Sequence, residues 1–201
     1  MPSWDEDSPE LRRNLSKVFD EVVRSAQRRE FPTIASAKGW QSLLMENLTA
    51  PDAGFVGAFR GEPGLEKIQV RVGVHYGVNA AQVAEELAGF ERKLHALLRE
   101  LDAMLPTGQD PDADQFAAVV DLCAWVHAEW VRIHPFANGS GRTARLWANF
   151  IAMRYGLPPF IRLRPRPNYG YGEAGSKAMQ GDWKPTAAVF RHLLDAFLDE
   201  S

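Results

Sequence analysis

Twelve consecutive residues, His134-Pro-Phe-Ala-Asn-Gly-Ser-Gly-Arg-Thr-Ala-Arg145, constrain this chain more than any other stretch. Apolar residues at helical spacing lie on both sides: Phe116 to Trp130 before, then Leu146, Trp147, Phe150 and Ile151. The twelve are therefore a loop between two helices, with a new helix opening at about Gly139 or Gly141. The first backbone N–H groups of a helix have no intrahelical partner and form an anion site. Gly139 and Gly141 let the backbone approach such an anion with no Cβ in the way. Arg142 and Arg145 stand three residues apart, on one helix face, and reach the same charge. His134 can act as a base near neutral pH. Asn138 offers a carbonyl oxygen where a metal bound to the phosphate would sit. Each residue alone has a plainer account: a structural histidine, turn-making glycines, a solvated arginine pair. Their joint occurrence suits a site that holds a phosphoanhydride and deprotonates an attacking group.

At these residues the chain resembles the Fic/Doc family, whose pattern is His-Pro-Phe-x-(Asp/Glu)-Gly-Asn-Gly-Arg-x-x-Arg. The match holds at all but two of the specified positions, and its length makes it far more specific than a lone glycine loop. Asn138 stands where the family has an acidic magnesium ligand, so the metal would lose a carboxylate charge. Ser140 stands where the family has an anion-hole asparagine, and its hydroxyl has a shorter reach. The resemblance implies an all-α, Fic-type helical bundle with a small β-hairpin flap. It extends in order and spacing from about Trp40 to the chain's end, giving an expected division into an N-terminal helical extension, 1–36, and a Fic domain, 37–201.

The resemblance also implies a reaction. ATP would bind with its phosphates at Gly139, Ser140 and Gly141, with Arg142 and Arg145 on the β- and γ-phosphates. Magnesium (Mg2+), through Asn138 or water, would bridge the α- and β-phosphates. His134 would take the proton from a Ser, Thr or Tyr hydroxyl of a target protein as it attacks the α-phosphorus, making the chain a protein adenylyltransferase. Tyr169 and Tyr171 are candidates for stacking on adenine; the alternative is that each anchors a loop by its hydroxyl. Two other readings of the whole chain stay open. One is a Fic enzyme that uses a different donor or removes AMP. The other is a catalytically weakened module that binds nucleotide or protein only.

The rest of the chain supports the bundle. Helices are expected at about Pro9–Arg29, with Ser8 as cap, at Trp40–Leu48, Asn79–Met104, Gln115–Trp130 and Pro185–Leu198. Phe59-Arg60 and Gln69–Val74 read as two β-prone pieces of one hairpin, joined by the loop Gly61 to Gly64. In the family this hairpin, about Phe59–Val74, is the flap that aligns a strand of the target; a merely stabilising hairpin is the alternative. Ser42 to Asn47 fits the family's inhibitory signature, whose glutamate, here Glu46, would pair with Arg145. An ordinary surface glutamate is the competing account. Ser176 to Gly181 echoes the same signature with Gln180 in place of the carboxylate. A separate antitoxin-like inhibitor is thus a further expectation. His127 reads as a packed core histidine with a backbone partner.

Composition bounds the partners. The 201 residues carry a net charge of −3, which gives no reason to expect nucleic acid binding. Arg154, Arg162, Arg164 and Arg166 form a late basic cluster suited to phosphate or an acidic partner. Cys123 is the single cysteine and falls in an apolar run, which suits a buried thiol in a reducing compartment. The acidic, polar start is no secretory signal, and no apolar run approaches membrane-spanning length, so a cytoplasmic protein with no membrane partner is expected.

Overall fold

Helix capping sets the frame of the computed structural model, which describes residues 1–109 and 111–199. Helix α1, Pro9–Gln27, starts where expected: Leu11 N–H donates to Ser8 Oγ at 3.2 Å, and Pro9 occupies the first turn, where no N–H is needed. Helix α2, Ile34–Met45, opens well before the expected Trp40. Thr33 and Ser36 cap each other reciprocally, each side chain accepting from the other's backbone N–H. The expected division between 36 and 37 therefore falls inside a helix. Leu11, Val18 and Val22 of α1 also share one core cluster with Trp40 and Trp147, so α1 packs as part of the same body.

A 3₁₀ turn, Ala80–Gln82, capped by Asn79, leads into α3, Val83–Met104. Asp110, in the expected loop before the next helix, lies outside the described residues. Helix α4, Ala113–Ile133, is capped by Asp112 and not by Asp114, in a reciprocal box with Gln115. Then come α5, Ser140–Arg154, α6, Tyr171–Ala178, and α7, Lys184–Asp199.

The centre of the fold is α4 against α5, with α1 and α2 packed on α5, and α3 and α7 on α4. Large rings fill it. Trp40, Trp130, Trp147 and Phe90 are nearly inaccessible, with centroids 4.9 Å apart for Trp40–Trp147 and 5.4 Å for Trp130–Trp147 and Phe90–Trp130. Burying rings of this size dominates core energetics. Trp130 Nε1–H donates to Thr143 Oγ1 at 2.8 Å, so the end of α4 is bonded to the first turn of α5. The functional loop is thus clamped at both ends.

The hairpin is smaller than expected and pairs differently. Strand β1, Arg71–Val72, runs antiparallel to β2, His75–Tyr76, in the register Arg71↔Tyr76 and Val72↔His75. Gly73 takes φ 61° in the two-residue turn, a conformation that glycine adopts without strain. Phe59-Arg60 is not its partner. Phe59 enters the core, 4.8 Å from the Phe136 ring, and the Arg60 N–H donates to the Pro135 carbonyl at 2.8 Å. Cys123 is buried, and desolvation raises its thiol pKa far above the ordinary value. Among the described residues, no helix is long and apolar enough to cross a membrane.

Candidate active site

The loop between α4 and α5 begins with a left-handed residue. His134 caps α4 at φ 50°, ψ 59°, a region few non-glycine residues enter. That turn sends the chain back under the helix end and leaves the imidazole on a cavity wall. His134 Nδ1 lies 3.2 Å from the Val131 carbonyl. A carbonyl only accepts, so Nδ1 carries the proton and Nε2 keeps its lone pair. Burial lowers the His134 pKa to about 4, with the nearby Arg60 charge acting in the same direction. The ring is therefore neutral at pH 7, the form a base requires.

The next residues hold the loop rigid. Phe136 is fully buried against Phe59 and Trp130. Ser140 Oγ accepts from the Phe136 N–H at 3.0 Å and donates to the Phe136 carbonyl at 3.3 Å. This corrects the expectation for the Ser140 side chain, whose hydroxyl closes the loop from inside and does not face an anion. Gln41 was not singled out by sequence. It is fully buried, and its Nε2 donates to the carbonyls of Asn138 and Phe55 at 3.2 and 3.3 Å. Gly139 takes φ 93°, a backbone conformation that favours glycine, and a Cβ there would press on Met45 Cε at 3.1 Å.

The first intrahelical bond of α5 runs from the Thr143 N–H to the Gly139 carbonyl at 2.9 Å, and no side chain caps the helix. The amides of Ser140, Gly141 and Arg142 precede that ladder and have no intrahelical acceptor. They border a cavity of about 970 Å³ that His134, Asn138, Arg142 and Arg145 also line. Its lining also includes Arg12, Leu15, Ser16 and Phe19 of α1, and Leu163, Arg164 and Arg166.

Both motif arginines are engaged. Arg145 Nε donates to the Leu163 carbonyl at 3.1 Å and its Nη1 to Tyr171 Oη at 3.3 Å. Arg142 Nη2 donates to Asn138 Oδ1 at 2.8 Å and Nη1 to the Trp4 carbonyl at 3.2 Å. Burial lowers the Arg142 pKa to about 10, so it stays a cation at neutral pH. Asp5 approaches the same guanidinium at 3.8 Å and accepts from Asn138 Nδ2 at 2.7 Å. Asp7 pairs with Arg12 at 3.1 Å and Arg164 at 3.4 Å. The N-terminal segment thus lines the cavity through Asp5 and Asp7. Trp4 secures it, stacked on Phe55, while Ser3 bridges to Thr49.

As arranged, these residues do not fit a magnesium site. The Asn138 oxygen already accepts from Arg142, a cation that repels a metal. Among the described residues, no group of three or more His, Cys, Asp or Glu side chains could hold one. Asn138 is instead a bridge between Arg142 and Asp5.

Other expected residues lie elsewhere. Tyr171 is buried and its hydroxyl meets His127 Nε2 at 2.6 Å as well as Arg145, so it anchors rather than offers a stacking face. His127 is indeed a core residue, but its partner is this tyrosine and not backbone; burial and the Arg145 charge lower its pKa to about 3. Tyr169 is 70% exposed and its ring packs on His192, away from the cavity lining. Glu46 pairs with Lys17 at 2.7 Å, not with Arg145. Arg154 leaves the basic cluster: it is buried and bound to Asp102 at 2.6 Å.

Comparison with known proteins agrees with this loop. A profile described as "Fic/DOC family" matches residues 32–152. A protein adenylyltransferase Fic of Nematostella vectensis is 40% identical over 83 residues, 39% of this chain and 19% of that protein. One of Drosophila erecta is 30% identical over 131 residues, 65% of this chain and 23% of that protein. The chain therefore spans less than a quarter of the length of either relative. A crystal structure of a Fic-domain-containing signalling protein from Bacteroides thetaiotaomicron superposes with a TM-score of 0.62 at 18% identity, covering 92% of this chain and 68% of that one, a likeness of fold. With its fold matched and well over half its length inside the profile, the chain belongs to the Fic/DOC family.

Proposed function

We propose that this protein transfers AMP from ATP to a hydroxyl group of a target protein. The observation that carries the reading is a neutral His134, its Nε2 unprotonated, on the wall of a cavity that also presents the amides at the start of α5. The triphosphate enters that cavity, and Arg142 and Arg145 neutralise its charge once they exchange their present partners for phosphate oxygens. The hydroxyl oxygen attacks the α-phosphorus while its proton passes to Nε2. The bond from the α-phosphorus to the bridging oxygen breaks, and pyrophosphate leaves. Positioning and charge stabilisation supply most of the acceleration. No step is routed through a metal.

The proposal extends to the partner. An extended segment of the target adds to the hairpin Arg71–Tyr76, whose Val72, Val74 and Tyr76 side chains are exposed. A reducing, cytoplasmic setting is part of the same reading and is supported by the single buried Cys123. A second reading has its own support. Ser140 turns its hydroxyl inward and Asn138 is bound to Arg142, which favours a module that holds nucleotide with weakened transfer.

Incubation with ATP labelled at the α- or the γ-phosphate tests both. Protein-bound label from α alone, lost in His134→Ala, is the expected result. Label from γ points to phosphoryl transfer and overturns the reaction. Nucleotide binding without label in any condition, magnesium and chelator included, selects the second reading.

A further inference from the structure

Arg60 is 1% exposed, yet it carries a guanidinium. That group donates to four main-chain carbonyls: Nε to His134 at 2.8 Å, Nη2 to Ile133 at 2.9 Å and Val78 at 2.8 Å, and Nη1 to Ile68 at 3.2 Å. Its own backbone N–H donates to Pro135 at 2.8 Å. One arginine therefore holds three consecutive residues, Ile133, His134 and Pro135.

The chemistry of each contact is clear. The carbonyls of Ile133 and His134 end α4, where no intrahelical donor remains and the helix dipole is negative. A cation satisfies both needs. Ile68 and Val78 flank the hairpin Arg71–Tyr76 on its two sides. The same planar fork thus joins the hairpin stem to the turn that carries His134. A lysine ammonium has the charge but not the fixed fork. Arg60 remains charged: burial lowers its pKa only to about 10. Close packing seals the junction, since a Cβ on Gly77 would lie 2.8 Å from His134 Cβ and 3.1 Å from Arg60 Nη2.

We infer that Arg60 is a positioning residue. It sets the direction of the His134 imidazole and the seat of the hairpin above it through one rigid group, so that base and docked hydroxyl meet in register. It touches neither nucleotide nor target. The competing account is a purely structural arginine that stabilises the fold and affects everything equally.

The test is Arg60→Lys and Arg60→Met, with three measurements on each: cooperative thermal unfolding, affinity for a fluorescent ATP analogue, and kcat and KM of transfer. The kinetic measurement rests on the proposed transfer activity. A fourth does not: the ring 15N signals of His134, assigned by their loss in His134→Ala, with those of His127 as an internal reference. In folded Arg60→Lys, nucleotide affinity is expected to stay within about threefold, while kcat falls about 10²-fold from misplaced reacting groups. The His134 ring signals shift and those of His127 hold. Arg60→Met does the same or worse. Unchanged kcat in a folded variant, a parallel loss of affinity and rate, or unmoved His134 ring signals would overturn the inference. If wild-type protein transfers nothing, the proposed function fails and the ring signals alone decide the role of Arg60. Should both Arg60 variants fail to fold, Arg60→Gln, which keeps a neutral amide donor at the same place, is measured instead, and the same outcomes decide.

Discussion

The two sides of the His134–Gly139 loop are held by different kinds of contact. On the inner side, Phe136 packs among rings, and Arg60 and Gln41 donate to main-chain carbonyls. On the cavity side, Asn138, Arg142 and Asp5 satisfy one another through side chains, and Asp5 is 73% exposed. Backbone acceptors buried in a core have nowhere else to go, so the inner contacts are fixed. Asp5 is largely solvated and trades partners at little cost, so the outer set can be opened from its exposed end although Arg142 itself is buried. On the proposed function, the loop keeps its shape while its cavity-side arginine changes partner.

That contrast can be broken from the inside first. Phe136→Ala removes a fully buried ring and is expected to cost about 3–5 kcal/mol of stability, read by chemical denaturation, with nucleotide binding lost as the loop slackens. A cost below about 1 kcal/mol would mean the inner side is not the anchor. Next is His134→Ala, which leaves the fold in place and lowers transfer by about 10²–10⁴-fold.

Acid titration sharpens the comparison. His134 and His127 have folded pKa values lowered to about 4 and about 3, by burial first. Below the unfolded value near 6.5 the unfolded chain takes up protons that the folded chain refuses. Stability from these two groups is therefore full above pH 6.5 and is lost as pH falls toward 4 and 3. The acid limb of the rate profile should follow the base itself, falling near pH 4 in free enzyme; a limb near 6.5 would show that the ring is solvated. The smallest effect comes from the outer side. Asp5→Asn keeps the shape but removes the charge facing Arg142, and ATP affinity should rise about two- to fivefold, measured by calorimetry. An unchanged or weaker affinity would show that Asp5 does not compete for that arginine.

Much of the fold was legible because helices announce themselves locally. The apolar stripe of α3, the Ser8-Pro9 start of α1 and the glycine step into α5 each lie within a few residues of what they specify. The start of α2 was missed because its capping box uses Ser36 where a glutamate or glutamine is the usual signal. Within the site, His134, Gly139, Gly141, Arg142 and Arg145 converge as their spacing requires. What sequence did not show was which distant group each side chain meets. Arg60 reads as a strand residue because its acceptors lie far along the chain, at Ile133 and His134. The same holds for Tyr171, whose hydroxyl belongs to His127 and Arg145, and for Asp5, which reaches the motif across 133 positions. Periodicity carries no information about such pairings.

Gly77 gives the hairpin a mechanical asymmetry. With His134, Arg60 and Val70 all inside the reach of a single added methyl, the stem already rests on a hard stop and cannot sink further toward the loop. Outward travel works against the directional pull of Arg60 on Ile68 and Val78 and the contact of His75 with Gln180. A segment arriving at the hairpin can therefore lift it but cannot press it onto the imidazole, so the clearance over the base has a floor fixed by van der Waals radii.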